Sequence, residues 1–401
     1  MHCVKKLMDD MYWVGASDRR LALFENLYPI PAGISYNSYL VLDEKTVLID
    51  TVDKAATGVF FENLKHVLSG RPLDYLIVNH VEPDHAAAFA DLICCYPNLK
   101  IVSNAKGLDM IRQFFDFDVD ACSITIKEGE ALATGHHSFR FLMAPMVHWP
   151  ETMVTYDETD HILYSGDAFG TFGAINGNLY ADEVDFEQHW LPEARRYYAN
   201  IVGKYGAQVQ SLLKKAAGLQ IEQICSLHGP VWRKDLAWFM EKYQRWSSYQ
   251  PEDKAVMIAY GSIYGHTENA ADILAFALGE AGVRNIVMYD VSSTDVSHLV
   301  AEAFRCSHLV LAASTHNAEI FPPMHHFLLD LKAHNMQNRT VALIENGTWA
   351  ASSGKLMAQI VSGMKEMDLM EGMVSLRSAA GKDQLEGLRE LAQRIAASLN
   401  G

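Results

Sequence analysis

The stretch NHVEPDHAAAF, residues 79–89, places two histidines and two acidic residues within six positions of an otherwise apolar neighbourhood. The preceding residues, LDYLIV at 73–78, predict a buried strand because they form a short apolar run with a β-branched pair. The residues that follow, AAAFADLICCY, favour a helix. A strand that ends at such a cluster predicts that the polar side chains of the loop share one site. These side chains are His80, Glu82, Asp84 and His85.

A metal site is the interpretation that this cluster favours. Four ionisable groups buried within six residues without a partner would cost several kcal/mol, whereas metal ions would neutralise them. Further candidate ligands follow or end apolar runs later in the first half: His148, Asp167 and His228. An isolated inward histidine such as His148 is more commonly a hydrogen-bonded core residue. Taken together, however, the histidines and carboxylates suit two metal ions that share one bridging carboxylate.

Composition limits the class of protein. The chain has 401 residues, of which 49% are hydrophobic and 20% charged, and this length accommodates two domains. A formal net charge of −16 argues against a nucleic-acid partner, because phosphate binding needs a basic surface. No apolar run is long enough to span a membrane, and the N-terminus lacks the apolar core of a signal peptide. The six cysteines form no CxxC pair, so we expect free thiols, a cytoplasmic location and no rubredoxin module in this chain.

Two halves with different patterns predict two domains. In the first half, strands alternate with turns and some helices, and the clearest strands are TVLIDTV (46–52), DYLIVNH (74–80), KIVSNA (100–105), FRFLMAP (139–145), HILYSGD (161–167) and QICSLHG (223–229). The segment SSYQPEDK (247–254) is polar, contains proline and lacks apolar periodicity, so we place the domains at 1–250 and 251–401. The second half alternates strands and helices in five units. This pattern predicts a parallel sheet covered by helices on both faces, and the lack of an early GxGxxG favours flavodoxin-like winding over a dinucleotide fold.

The first loop of the second half predicts a phosphate site. GSIYGHTE (261–268) follows the strand VMIAY and opens a helix, and it fits the flavodoxin phosphate loop. Backbone N–H groups and hydroxyls at a helix N-terminus favour a phosphate dianion. The candidate phosphate-binding residues are Ser262, Ile263, Tyr264, Gly265, His266 and Thr267.

Two further loops follow the third and fourth strands of this half, where such sheets bind ligands. Each contains apolar or aromatic residues able to cover a planar ring, namely Ile320, Phe321 and Trp349. The absence of an adenine-side fingerprint favours FMN over FAD or a nicotinamide. The candidate flavin contacts are Ser314, Thr315, His316, Asn317 and Ala318 in the first loop, and Asn346, Gly347, Thr348 and Trp349 in the second. The alternative is a surface loop with an incidental tryptophan.

The ligand order His-x-Glu-x-Asp-His, then His, Asp and His, followed by a flavodoxin-like half, resembles the flavodiiron proteins over essentially the whole chain. The resemblance implies an α/β architecture in which a metallo-β-lactamase-like αββα sandwich precedes a flavodoxin-like doubly wound parallel sheet. Zinc hydrolases of that superfamily carry His where this chain has Glu82. A carboxylate at this position shifts the preference from zinc toward iron or manganese.

The resemblance also implies the ligands of a non-haem diiron site. One iron would be held by His80, Glu82 and His148, and the other by Asp84, His85 and His228, with Asp167 bridging. In some family members the residue that matches His85 does not bind iron. The run YYANIV (197–202) resembles a family segment that places a tyrosine near the diiron pocket. A helix with two packed tyrosines explains Tyr197 and Tyr198 equally well.

As to function, the resemblance implies an oxidoreductase that reduces O₂ to water, NO to N₂O, or both, with electrons passing from an external donor through FMN to two iron ions. Free rubredoxin and the reduced deazaflavin cofactor F420 are possible donors. A head-to-tail homodimer, or a dimer of such dimers, is expected to bring one chain's flavin to its partner's iron. Two alternatives remain: a dizinc hydrolase fused to a flavodoxin domain, and a non-catalytic electron carrier or oxygen sensor.

Overall fold

The computed structural model describes residues 2–400, and the chain divides into two compact units. Within the described residues, the first contains residues 2–198 and Tyr205–Gln244, and the second contains Ala199–Lys204 and residues 245–400. The domain boundary at 250/251 stays a prediction. Among the residues described, no helix combines the length and the apolar character needed to cross a membrane.

The first unit is built on two larger sheets. The seven-stranded sheet has the spatial order Lys5–Lys6, Met11–Trp13, Tyr39–Leu42, Thr46–Ile49, Tyr75–Ile77, Lys100–Asn104 and Ser123–Ile126. The five-stranded sheet has the order Ala131–Ala133, Ser138–Met143, Met153–Asp157, Ile162–Tyr164 and Gln223–Cys225. Two small two-stranded antiparallel sheets pair Ala16–Asp18 with Ile34–Tyr36, and Leu23–Phe24 with Tyr28–Pro29. One hydrophobic cluster joins the two larger sheets, since Val47 and Ile77 of the first pack with Phe141 and Tyr164 of the second.

Helices of the first unit connect and cover these strands. The α-helices are Thr57–Leu68, Pro83–Ala86, Phe89–Cys95, Ala105–Phe114, Val119–Cys122, Phe186–His189, Leu191–Tyr197, Gly206–Ala216 and Leu236–Ser247, the last of which ends beyond Gln244. Shorter helical turns of this unit are Lys54–Ala56 and Ala181–Glu183. The π-helical segment Tyr198–Val202 and the turn Gly203–Tyr205 lie mostly in Ala199–Lys204, which belongs to the second unit. Pro83 lies at the start of its helix, where its missing N–H costs nothing. This short helix carries Asp84 and His85.

The second unit is a parallel sheet with helices between its strands. The sheet has the order Ile286–Asp290, Asp253–Gly261, Cys306–His316, Arg339–Asn346 and Met367–Leu369. Val374–Leu376 also pairs with Arg339–Asn346, and Glu319–Ile320 forms a hairpin with Cys306–His316. The α-helices are His266–Glu280, Val296–Arg305, Pro322–Ala333, Ser353–Ser362 and Lys382–Asn400. When these five strands are numbered along the chain, their spatial order in the sheet is 2-1-3-4-5, which is flavodoxin-like winding. The predicted fold class is therefore confirmed.

Candidate metal centre and flavin pocket

The loop after the strand Tyr75–Ile77 is fixed by a buried carboxylate. Asp50 accepts hydrogen bonds from the backbone N–H and the side-chain amide of Asn79, both at 2.8 Å. Glu82 then lies at the N-cap position of the helix Pro83–Ala86, so the next turn of chain is helical. This local structure turns the four ionisable side chains of the loop toward one buried position.

One half of the cluster contains His80, Glu82 and His148, with Asp167. The Nε2 atoms of His80 and His148 lie 3.1 Å and 3.0 Å from Oε2 of Glu82. The same nitrogens lie 3.4 Å and 3.1 Å from Oδ2 of Asp167. These four side chains each offer one donor atom, and all four atoms lie within 4.8 Å of one another.

The other half contains Asp84, His85 and His228. The two Nε2 atoms of the histidines are 3.1 Å apart, and each lies 3.3 Å from Oδ2 of Asp84. Oδ1 of Asp167 faces this half, at 3.2 Å from Nε2 of His85 and 3.7 Å from Nε2 of His228. All seven predicted metal residues therefore meet in one place, with the two oxygens of Asp167 directed to different halves.

The donor set fits a pair of metal ions. Both carboxylate oxygens of Asp84 and Oδ1 of Asp167 are buried without a hydrogen-bond partner among the described residues. Buried anionic oxygens without donors are costly unless a cation neutralises them. The Nε2 atoms of His85 and His228 lie 3.1 Å apart and converge with Oδ2 of Asp84, which suits coordination of all three side chains to one ion. His85 thus points into the cluster like the other ligand candidates.

Charge within the half of the cluster around Asp167 shifts the pKa values of His80, His148 and Asp167. Burial lowers the pKa of His80, but hydrogen bonds with Glu151 and Glu82 raise it well above its ordinary value. Burial likewise lowers the pKa of His148, but Asp167 and Glu82 bring it to about 9. Burial would raise the pKa of Asp167, yet the neighbouring imidazoles hold it well below its usual range. Metal ions would replace these protons, so we expect metal binding to release protons.

Sequence reasoning missed several residues that shape the cluster. The Nδ1 atom of His80 contacts Glu151, and that of His228 contacts the carbonyl oxygen of Ser35, both at 2.7 Å. Glu25, which has a positive φ of 51°, is an exposed residue whose carboxyl group faces Glu82, and partial loss of solvent followed by the charge of Glu82 raises its pKa to about 8. No sequence pattern signals these contacts, because Ser35 and Glu25 are distant in sequence from the side chains they meet.

The tyrosine pair divides between two environments. The ring of Tyr197 lies 5.4 Å from that of His228, next to the metal cluster, and is buried. The ring of Tyr198 instead lies 5.1 Å from Tyr243. Tyr197 is therefore the member of the pair that lies beside a candidate ligand.

The second unit contains a cavity of about 740 Å³ at the carboxyl ends of its strands. Its predicted lining residues are Ser262, Ile263, Tyr264, His266, Thr267, Ser314, Thr315, His316, Asn317, Ala318, Asn346, Gly347, Thr348 and Trp349. Gly265 does not line it but precedes the helix His266–Glu280 with a φ of 87°. Ile320 and Phe321 do not line it either, whereas Ala350 and Ser378, which were not predicted, do.

Hydroxyl groups organise the floor of this cavity. The backbone N–H of Gly265 donates to Oγ of Ser262 at 3.0 Å. Oγ1 of Thr267 lies 2.9 Å from Oγ of Ser314 and accepts from the amide of Asn346 at 3.2 Å. At the rim, Tyr264 and Trp349 are 89% and 93% exposed, so their ring faces are available to cover a planar ligand.

Known proteins resemble this chain along its length. The family model "ODP family beta lactamase" matches residues 34–229. An anaerobic nitric oxide reductase flavorubredoxin from Shigella flexneri is 30% identical over 400 residues, which cover 97% of this chain and 81% of that protein. The solved rubredoxin oxygen:oxidoreductase from Desulfovibrio gigas is 28% identical with a TM-score of 0.91, and each chain is 99% covered. The flavodiiron protein from Giardia intestinalis has a TM-score of 0.93 at 24% identity, covers 100% of this chain and 97% of that one, and bears on the fold alone.

Fold and site together define a fusion of a metallo-β-lactamase-like domain with a flavodoxin-like domain. The chain belongs to the flavodiiron protein family.

Proposed function

We propose that the protein is a flavodiiron oxidoreductase that takes electrons from an external donor through FMN to two iron ions and reduces O₂ to water, NO to N₂O, or both. The observation that carries the proposal is the position of Asp167, whose two carboxylate oxygens face different halves of a seven-residue donor set. When bound, FMN accepts two electrons together and releases them singly, and iron binds small diatomic molecules at open positions.

The chain's own residues select the metal and position the flavin. Glu82 adds an oxygen donor where an imidazole would favour zinc, and this favours iron. In the second unit, the hydroxyls of Ser262 and Thr267 and the helix N-terminus at His266 are suited to the FMN phosphate. The exposed rings of Tyr264 and Trp349 are suited to cover the isoalloxazine.

The proposal also includes the electron donor, the cellular location and the class of partner. The relatives named above include a rubredoxin oxygen:oxidoreductase, which supports a rubredoxin-type donor, and the reduced deazaflavin F420 is the alternative. The six cysteines are free, which is consistent with a reducing cytoplasm. The acidic net charge of −16 supports small molecules and a protein donor, rather than nucleic acid, as partners.

Metal and flavin content tests the proposal. Protein produced with ample iron and riboflavin should contain about two irons and about one FMN per chain, because the donor set fits one bridged pair and one loop fits one phosphate. Elemental analysis and the flavin released on denaturation measure both. Stoichiometric zinc despite ample iron, or a colourless protein without flavin, would contradict the proposal.

We also propose a head-to-tail homodimer in which one chain's FMN serves its partner's iron, as the family resemblance implies. A two-fold interface would form two such junctions at once. Mixing a metal-site variant (His80→Ala with Asp84→Ala) with a flavin-site variant (Ser262→Ala with Thr267→Val) should restore activity. With random exchange about half of the dimers are mixed, and each has one intact junction, so activity should reach about a quarter of native.

As a control, each variant is taken separately through the same subunit-exchange procedure. Each variant alone should stay nearly inactive. Subunit exchange is verified independently by native mass spectrometry. If the mixed dimers form but the gas consumption does not recover, electron transfer across the interface is refuted.

A further inference from the structure

The face of His80 that points away from the metal cluster meets a carboxylate. Nδ1 of His80 donates to Oε1 of Glu151 at 2.7 Å, and the backbone N–H of Val81 donates to the same oxygen at 3.1 Å. Both side chains are buried, with His80 0% and Glu151 2% exposed. The contact therefore fixes the ring orientation of His80 and directs its Nε2 atom toward Glu82 and Asp167.

The position of Glu151 is itself determined by a neighbouring element. The side-chain amide of Asn104 donates to the carbonyl oxygen of Glu151 at 2.6 Å. The side-chain oxygen of Asn104 also accepts from the backbone N–H of Gly107, which caps the helix Ala105–Phe114. Oε2 of Glu151 is buried without a hydrogen-bond partner among the described residues. A purely structural contact would not require a carboxylate here, whereas a nearby cationic metal pair explains a buried negative charge.

The other half of the cluster lacks such a carboxylate. Nδ1 of His228 donates to the backbone carbonyl oxygen of Ser35 at 2.7 Å, which is a neutral acceptor. Nδ1 of His85 is buried without a hydrogen-bond partner in the part of the chain that the structure describes. The two halves thus differ in how the far nitrogens of their histidines are held.

We propose that Glu151 is a positioning residue that orients His80 and strengthens its hold on the metal ion of that half. The inference rests on the proposed function, because it requires a bound metal pair. A carboxylate on the far nitrogen fixes the tautomer and increases the basicity of the ligating nitrogen, and removing such a partner commonly costs 10–100-fold in metal affinity. The half formed by Asp84, His85 and His228 has no equivalent group and should not respond.

Glu151→Gln tests the inference, because glutamine keeps the size of the side chain and removes its charge. Iron-loaded variant and wild-type proteins are exposed to a graded series of a ferrous chelator, and the iron retained is measured by elemental analysis and Mössbauer spectroscopy. We expect one of the two irons to be lost at an about 10–100-fold lower chelator concentration. The Mössbauer signal of that iron should change while that of the other iron stays native.

Asp157→Asn is a matched control. Asp157 is also buried in the first unit and accepts from Nδ1 of His137 at 2.7 Å, but it lies at the far end of the strand Met153–Asp157 and outside the seven-residue cluster. This variant should retain iron like the wild type. If Glu151→Gln does not fold, Glu151→Asp takes its place, because it keeps the charge but shortens the side chain. Binding of the same iron should then be weaker than in the wild type.

The possible outcomes separate the inference from the function. If wild-type protein binds an iron pair and Glu151→Gln retains both irons with unchanged spectra, the inference about Glu151 fails and the proposed function stands. If Glu151→Gln and Asp157→Asn lose iron equally, Glu151 has only a structural role and the inference also fails. If wild-type protein binds no iron pair, the proposed function fails, and the inference fails with it.

Discussion

Asp167→Asn is expected to remove the metal pair and nearly abolish gas reduction. Asp167 is 1% exposed, and its two oxygens face opposite halves of the cluster, at 3.1 Å from His148 and 3.2 Å from His85. An asparagine side chain offers one oxygen and one NH₂ group, so it cannot serve as an anionic oxygen donor to both halves. Removing one partner of a buried charged pair costs about 3–5 kcal/mol, so we expect metal affinity to fall about 10²- to 10⁴-fold and turnover to fall with the iron content.

Iron content and the consumption of O₂ and NO with an artificial donor measure this effect. The flavin should remain, because the residues of its pocket belong to the other unit. Asp157→Asn, which removes a buried carboxylate outside the cluster, should retain both iron and turnover. An Asp167→Asn protein with native iron content and native turnover would show that Asp167 does not bridge two metals.

Ser262→Ala combined with Thr267→Val is expected to remove most of the flavin. The hydroxyl of Ser262 holds the backbone of Gly265, and the hydroxyl of the buried Thr267 lies between Ser314 and Asn346. Hydrogen bonds to a charged group contribute about 1.5–3 kcal/mol each. Loss of two such bonds to a phosphate should therefore weaken FMN binding about 10²- to 10⁴-fold.

Fluorescence titration of flavin-free protein with FMN gives the affinity directly. Ser307→Ala is a suitable control, because this hydroxyl contacts His308 and does not line the cavity. The control should bind FMN like the wild type, and the double variant should keep its iron. Native FMN affinity in the double variant would place the phosphate elsewhere.

Four of the seven metal candidates and the phosphate loop could be predicted because their chemistry is local, whereas His148, Asp167 and His228 were assigned as ligands through the family resemblance. His80, Glu82, Asp84 and His85 lie in one loop, and a strand of apolar residues ends directly before them. The phosphate loop likewise carries its hydroxyls and glycine between one strand and one helix. The strict alternation of strands and helices in the second half, together with the lack of an early GxGxxG, predicted flavodoxin-like winding, which is confirmed.

Contacts between distant segments could not be predicted in this way. Glu151 meets His80 across 71 residues, and Ser35 meets His228 across 193 residues. The short strands near the N-terminus, such as Met11–Trp13, and the buried strand Met153–Asp157 were also not predicted. These two strands form where neighbouring strands pair with them, since Met11–Trp13 pairs with Tyr39–Leu42 and Met153–Asp157 pairs with Ser138–Met143. Such pairing between separate segments is not visible in a local sequence pattern.

Comparison of iron-loaded and zinc-loaded protein, both carrying the same flavin, shows whether the iron pair is the site of gas reduction. The measurement is the consumption of O₂ and of NO per chain with one artificial electron donor. We expect rapid consumption of at least one gas by the iron form, with O₂ reduced to water, and only the slow reaction of the flavin itself in the zinc form. Equal consumption by the two forms would contradict it, because the flavin alone would then account for the activity and the buried cluster would serve another chemistry, such as hydrolysis.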